Sequence, residues 1–222
     1  MIRAILWDND GVLVDTEHLY FLATQQILST VGIELTEAMY RELFLVQARG
    51  AWHLAEEQGI SGGEVEELKA QRGELYLRYL QAGTKPIDGV EDVLRRLRGT
   101  YVMGVVTSSH RNHFEAIHRI TGLMQYFAFA LTSEDYKHHK PDPEPYRLAV
   151  EKTGFRPDEC IAIEDSERGL ASARGAGIPC IVIPQGLTRS GLFEGATAVL
   201  RDVREIPAAI EEFSVRRAAA AD

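Results

Sequence analysis

Asp8 and Asp10 stand two residues apart in Trp7-Asp8-Asn9-Asp10-Gly11-Val12, close to the start of the chain. Two close carboxylates repel one another, so both ionise only beside a cation. Otherwise one keeps its proton and becomes an acid. Either outcome is chemistry. Taken alone the pair is also compatible with an ordinary turn, since Asp and Gly are common turn residues.

Three further clusters change that balance. Thr107-Ser108-Ser109 follows the apolar run Val102 to Val106. Lys140-Pro141-Asp142-Pro143 lies in the polar loop after Phe127 to Leu131. Glu164-Asp165-Ser166 follows Cys160 to Ile163. If the runs are strands of one parallel sheet, all four clusters fall on one edge, where ligands of open α/β sheets bind. That edge would carry Asp8, Asp10, Glu164 and Asp165 with a hydroxyl and a lysine. The set suits Mg²⁺ and a phosphate, with hard oxygen ligands for the metal and a cation with hydroxyl donors for the phosphoryl oxygens.

The elements that must position these residues can be read from the pattern. Ile2, Ala4, Ile5 and Leu6 form an apolar run ending in acidic residues and Gly11. This predicts a buried strand running into a tight turn. Residues 17–82 read as helix. Leu19, Leu22, Ala23, Ile27 and Val31 recur at helical spacing with a stop at Gly32. Further helices are expected over Glu37 to Val46, Ala51 to Gln58 and Glu64 to Gln81. From Pro86 onward helix and strand alternate: helices at Val90 to Leu97, Asn112 to Ile120, Pro143 to Thr153 and Ser166 to Ala173, strands at 102–106, 127–131, 160–163, 180–183 and 198–200. Such alternation argues for a parallel sheet covered on both faces. The expected fold class is α/β, a Rossmann-like sheet core over residues 1–14 and 86–222 with an α-helical cap inserted at 15–85. The chain would cross one hinge twice, at about 12–16 and 83–89. An insertion starting just after Asp10 is well placed to act as a lid. Arg216 to Asp222 reads as a frayed tail.

The composition narrows the function classes. The chain has 222 residues, 45% hydrophobic and 26% charged, an ordinary globular balance. No apolar stretch nears the roughly 20 residues of a membrane span. The N-terminus runs straight into the first strand and no cleavage pattern follows, so no signal peptide is expected. Cys160 and Cys180 each open a buried strand and read as small apolar residues. A cytoplasmic monomer is expected. A net charge of −9 argues against nucleic acid or an anionic membrane as the main partner. An anionic substrate would then need local cations, for which Lys140 and, in the cap, Arg49 are the candidates.

The four clusters, in this order, resemble the haloacid dehalogenase superfamily of phosphohydrolases, in its branch with a helical cap after the first strand. The likeness is greatest to β-phosphoglucomutase-like and phosphoglycolate-phosphatase-like members. It rests on Trp7 to Glu17, Val105 to Ser109, Lys140 to Pro143 and Ile163 to Gly169. Asp8 is the expected nucleophile, forming an aspartyl-phosphate, and Asp10 the general acid and base. The resemblance implies the same two roles, and that the Asp10 backbone carbonyl ligates the metal. Asp165 would be a direct Mg²⁺ ligand beside Asp8, with Glu164 a further ligand or a holder of bound water. Asp165 and Glu164 also suit a helix start, because Ser166 opens one. Thr107 would offer its hydroxyl and Ser108 its amide to the phosphoryl group, with Ser109 beside them. Lys140 would offset charge on the phosphoryl group and on Asp8. Arg49 falls where relatives place a substrate-contacting arginine, although Val46 replaces a common glycine at the start of that segment.

The leading expectation is a Mg²⁺-dependent phosphatase acting on a small phosphorylated metabolite. A phosphomutase of the same fold is the alternative. Tyr20 argues against it, standing where mutase members carry a histidine, and a sugar bisphosphate requirement would discriminate the two. A dehalogenase would not need Asp10, Glu164 and Asp165. A signalling receiver domain would lack the insertion and would place its acceptor after an internal strand. A non-catalytic protein would be expected to have lost part of the set. His138 and His139 have no Cys or His partner at ligand spacing and are expected in solvent. Trp7 and Asn9 replace a more usual phenylalanine and apolar residue beside the nucleophile, which predicts local packing effects only.

Overall fold

The computed structural model describes residues 1–219. Its centre is β1 (Ala4–Trp7), flanked on one side by β2 (Val102–Val106) and on the other by β4 (Cys160–Glu164). β3 (Phe129–Leu131) extends the sheet beyond β2, and β5 (Cys180–Val182) and β6 (Ala198–Val199) extend it beyond β4. The order β3-β2-β1-β4-β5-β6 is parallel throughout. This is the expected Rossmann-like sheet, and the winding reverses between β1 and β4. The carboxyl ends of the strands on either side of that reversal open a crevice where ligands bind.

The strands read as unbroken apolar runs because both faces are covered. Ile5, Trp7, Ile161, Ile163 and Ile181 face one apolar layer. Ala4, Leu6, Cys160, Ala162, Cys180 and Val182 face the other. The period of two thus sorts large side chains from mostly small ones, and both cysteines are buried as small apolar residues.

Between β1 and β2 the chain forms a helical insertion. It contains α1 (Glu17–Ser29), α2 (Glu37–Tyr40), a π-helix over Arg41–Val46, α3 (His53–Glu57) and α4 (Gly62–Gly83). The helix expected over Glu37 to Val46 is therefore wound in two ways. Apolar periodicity reports a helical segment but not a switch to the wider π winding, which is uncommon and marks functional sites often. A capping box between Ser61 and Glu64 starts α4, with the Ser61 N–H donating to Glu64 Oε2 at 2.9 Å. α1 and α4 pack on each other, and α4 also rests on α6 (Arg111–Thr121), with Tyr76 edge-on to His113 at 5.0 Å between ring centroids. Leu22 in α1 is not part of the buried stripe; it is exposed.

The remaining helices are α5 (Val90–Leu97), α7 (Glu144–Thr153), α8 (Glu167–Gly175) and α9 (Ile206–Ala219). The expected frayed tail is corrected up to Ala219. Arg216 and Arg217 belong to α9, which buries Ile206 and Ile210, and Arg217 Nη2 pairs with Asp158 at 2.9 Å. The basic, alanine-rich ending lacks apolar periodicity, so the anchoring ion pair was invisible in the pattern. Residues 220–222 of that expected tail lie outside the described residues. No described helix is long and apolar enough to cross a membrane.

Candidate active site

Asp8 follows β1 directly, and its N–H donates to the Ile163 carbonyl at 2.9 Å, which holds its backbone in the ladder with β4. The chain then turns tightly. The Asn9 carbonyl accepts the N–H groups of Leu13 and Val14, and Gly11 takes a φ of +81°. A side chain at Gly11 would also collide with its neighbour, because a Cβ there would lie 2.2 Å from Asp165 Oδ2. Glycine is needed twice over, for the left-handed backbone and for the close approach.

Lys140 reaches this point from the loop after β3. It is 3% exposed, and its Nζ donates to Asp8 Oδ1 at 2.7 Å, Glu164 Oε1 at 2.6 Å and the Val106 carbonyl at 2.8 Å. An ammonium has three donors, and all three are engaged. Burial alone would lower its pKa, but the carboxylates of Asp8 and Glu164 outweigh burial and hold it raised and charged. The Tyr146 hydroxyl donates to the same Glu164 oxygen at 2.6 Å.

The other Glu164 oxygen, Oε2, is buried without a partner among the described residues. It occupies the space left by Gly169, where a Cβ would come within 1.8 Å of it. Asp8, Glu164 and Asp165 are all buried, with carboxylate oxygens within 4.8 Å of one another. Burial and then Glu164 push the Asp8 carboxyl up to about 7 against the pull of Lys140. Burial, then Asp8 and Glu164, hold Asp165 well above the usual carboxylate range. One ammonium cannot offset three buried carboxylates, and an orphaned anionic oxygen is costly. The donor set is all oxygen and fits a hard divalent cation such as Mg²⁺.

Asp10 is held differently. Thr16 donates to Oδ1 at 2.5 Å, and Ser109 and Thr107 donate to Oδ2 at 2.7 and 3.2 Å. Thr107 Oγ1 also accepts the Ser109 N–H at 3.0 Å. The Thr107 hydroxyl is thus bonded to Asp10, and Thr107 is fully buried. Ser108 and Ser109 do line the cavity, and Ser108 Oγ has no partner among the described residues.

The cavity, about 150 Å³, lies between these strand ends and the helical insertion. Its upper wall is aromatic, formed by Tyr20, Tyr40, Phe44 and Tyr76. Asp8, Asp10, Ser108, Ser109, Lys140 and Asp165 all reach it. Arg49 does not. It is exposed, and its N–H bonds back to Leu43 at 2.9 Å in the turn after the π-helix, where Ala48 takes a φ of 53°. That return keeps Arg49 on the outside of the insertion. His138 and His139 are exposed as expected.

Several residues that shape the site were not singled out in the sequence, although three of them lie inside its motifs. Thr16 is one hydroxyl among many until its contact with Asp10 is seen. Thr188 donates to Asp165 at 3.2 Å from beyond β5. Glu17 and Arg168 also line the cavity.

A sequence model of haloacid dehalogenase-like hydrolases matches residues 5–183. The phosphorylated carbohydrates phosphatase of Thermotoga maritima is 30% identical over 179 residues, 80% of this chain and 82% of its own length. The validoxylamine A 7'-phosphate phosphatase of Streptomyces hygroscopicus subsp. limoneus is 28% identical over 209 residues, covering 93% and 96%. The crystal structure of CbbY from Rhodobacter sphaeroides in complex with phosphate is similar with a TM-score of 0.80 at 27% identity, covering 93% of this chain and 96% of that one.

Proposed function

This chain belongs to the haloacid dehalogenase-like hydrolase family and is a phosphoric monoester hydrolase; we propose that it dephosphorylates a small phosphorylated metabolite, with Asp8 as nucleophile and Mg²⁺ as cofactor. The observation that carries this reading is the buried group of Asp8, Glu164 and Asp165, the first two bonded to the Lys140 ammonium, at the carboxyl ends of β1 and β4. That the Thermotoga relative is a phosphorylated carbohydrates phosphatase supports a sugar phosphate as the substrate.

Asp8, Asp165 and Glu164 would hold the cation, together with the Asp10 carbonyl that the family resemblance implies. A bound Mg²⁺ would offset the clustered negative charge and draw charge from the phosphoryl oxygens. A carboxylate oxygen of Asp8 attacks phosphorus, and the bond to the leaving oxygen breaks. Asp10 gives that oxygen its proton. The aspartyl-phosphate is then opened at phosphorus by water, which yields its proton to Asp10, and phosphate leaves. Thr16 and Ser109 grip the two oxygens of Asp10 and fix its rotamer for both transfers. Lys140 favours the ionised form of Asp8 and aims it.

Phosphate release from a panel of hexose, pentose and three-carbon phosphates tests this reading. Turnover of at least one, abolished by a chelator and restored by Mg²⁺, is expected. No release from any of them, or full rates in excess chelator, would overturn it.

A further inference from the structure

Lys140 and Arg168 are the two lysine or arginine side chains that line the cavity, and they differ in one respect. Every donor of Lys140 is engaged within the protein. Arg168, in the first turn of α8, makes no hydrogen bond or ion pair with any described residue, and its Nε is buried without a partner. A guanidinium presents five N–H donors in a rigid fork and does not give up its charge. Leaving it unsatisfied in a cleft is costly unless something that enters the cleft accepts from it.

Its surroundings say what that something is. The charge acting most strongly on Arg168 is the Glu17 carboxylate, followed by Asp8 and Asp165. Glu17 comes from the start of α1 and also lines the cavity; one of its oxygens accepts from Tyr40 at 2.5 Å. A second anionic group on the substrate would meet the Glu17 carboxylate, which disfavours it. A hydroxyl suits both sides, because it accepts from the arginine and donates to the carboxylate. The stacked rings of Tyr40 and Phe44, 4.5 Å apart, offer an apolar wall for the C–H face of the same molecule.

We propose that Arg168 and Glu17 are the specificity pair of this site, reading hydroxyl groups on the leaving-group side of a polyhydroxylated, singly phosphorylated substrate. This rests on the phosphatase reading above. The two residues come from opposite sides of the crevice, one from the core and one from the insertion, so a hydroxylated leaving group bridges the two parts. Sites built to hydrogen-bond a hydroxyl discriminate strongly against analogues that lack it, since their polar groups are then left unpaired.

The test compares hexose and pentose monophosphates with 4-nitrophenyl phosphate, whose leaving group has no hydroxyl. Arg168→Gln and Glu17→Gln should lower kcat/KM for the best sugar phosphate by at least about tenfold more than for 4-nitrophenyl phosphate, mainly through KM. Arg168→Lys should recover part of the loss. An equal loss on both substrates, with an unchanged thermal melt, would overturn the assignment in favour of a role at the phosphoryl group. No loss on either would overturn it outright, as would a wild-type preference for bisphosphates over monophosphates. A wild type that hydrolyses 4-nitrophenyl phosphate but no sugar phosphate would overturn the specificity pair and spare the phosphatase reading. Failure on every phosphoester would overturn both.

Discussion

His118 Nε2 lies 2.9 Å from the side-chain oxygen of Asn9, and so ties α6 to the residue between the two aspartates. Both groups are buried. Asn9 replaces an apolar residue, and the histidine supplies the donor its carbonyl needs. The second ring nitrogen, Nδ1, lies 3.2 Å from the Thr121 hydroxyl.

This pair predicts an acid sensitivity. Burial pushes His118 down to about 4, with Asp10 pulling weakly the other way. The unfolded chain titrates near 6.5. As pH falls through that value the unfolded state takes up a proton that the folded state refuses. Stability is therefore lost progressively between about pH 6.5 and 4, by about 3 kcal/mol, and the loss levels off below that. Urea unfolding at pH 7, 5 and 4 measures it. His118→Gln keeps a donor for Asn9 and should lose less stability across this window than the wild type. Equal losses in both would show that the imidazole is not the source.

Lys140→Met should be among the most damaging single changes. It removes the one ammonium beside Asp8 and Glu164 and strands their charges in the interior. Breaking a buried pair this way costs about 3–5 kcal/mol. Turnover should fall by more than about a thousandfold, because Asp8 loses the charge that favours its ionised form. Melting temperature and kcat measured together check this. A variant that melts like the wild type and retains its rate would refute the account of Lys140.

Mg²⁺ should stabilise the protein more at alkaline than at acid pH. In the metal-free protein the Asp8 carboxyl sits at about 7, raised by burial and by Glu164. Metal-free stability is then lost as pH rises from the unfolded value near 3.9 toward 7, since the unfolded state ionises first. A bound cation removes that penalty and adds its own binding free energy. Melting curves with and without Mg²⁺ at pH 5.5 and 8 should diverge more at pH 8. A shift that is the same at both values would contradict ligation by Asp8.

The sheet was legible because each strand is apolar on both faces, and Asp8, Thr107, Lys140 and Glu164 punctuate its ends. What was not legible depended on contacts between distant segments. The hold of Thr16, Thr107 and Ser109 on Asp10 joins residues up to 99 positions apart and appears only in the fold. Lys140 reads from its motif as a charge partner of Asp8, but its further ties to Glu164 and the Val106 carbonyl appear only in the fold. Arg49 was matched by its distance along the chain, which does not record the π-helix and the left-handed Ala48 that keep it outside. Arg168 sits within a recognisable motif, but only the buried, partnerless Nε marks it as open to a ligand. The α9 helix hid behind an alanine-rich, basic ending whose anchor, Asp158, is 59 residues away.

The central claim is that Asp8 attacks phosphorus. Its most direct test is the rate of phosphate release by Asp8→Asn against the wild type, on the best substrate of the panel and in saturating Mg²⁺. The carboxamide keeps the shape and the backbone bond to Ile163 but is no nucleophile. A loss greater than about a thousandfold, with an unchanged circular dichroism spectrum, is the predicted result. Phosphate release within a few-fold of the wild-type rate would contradict the claim.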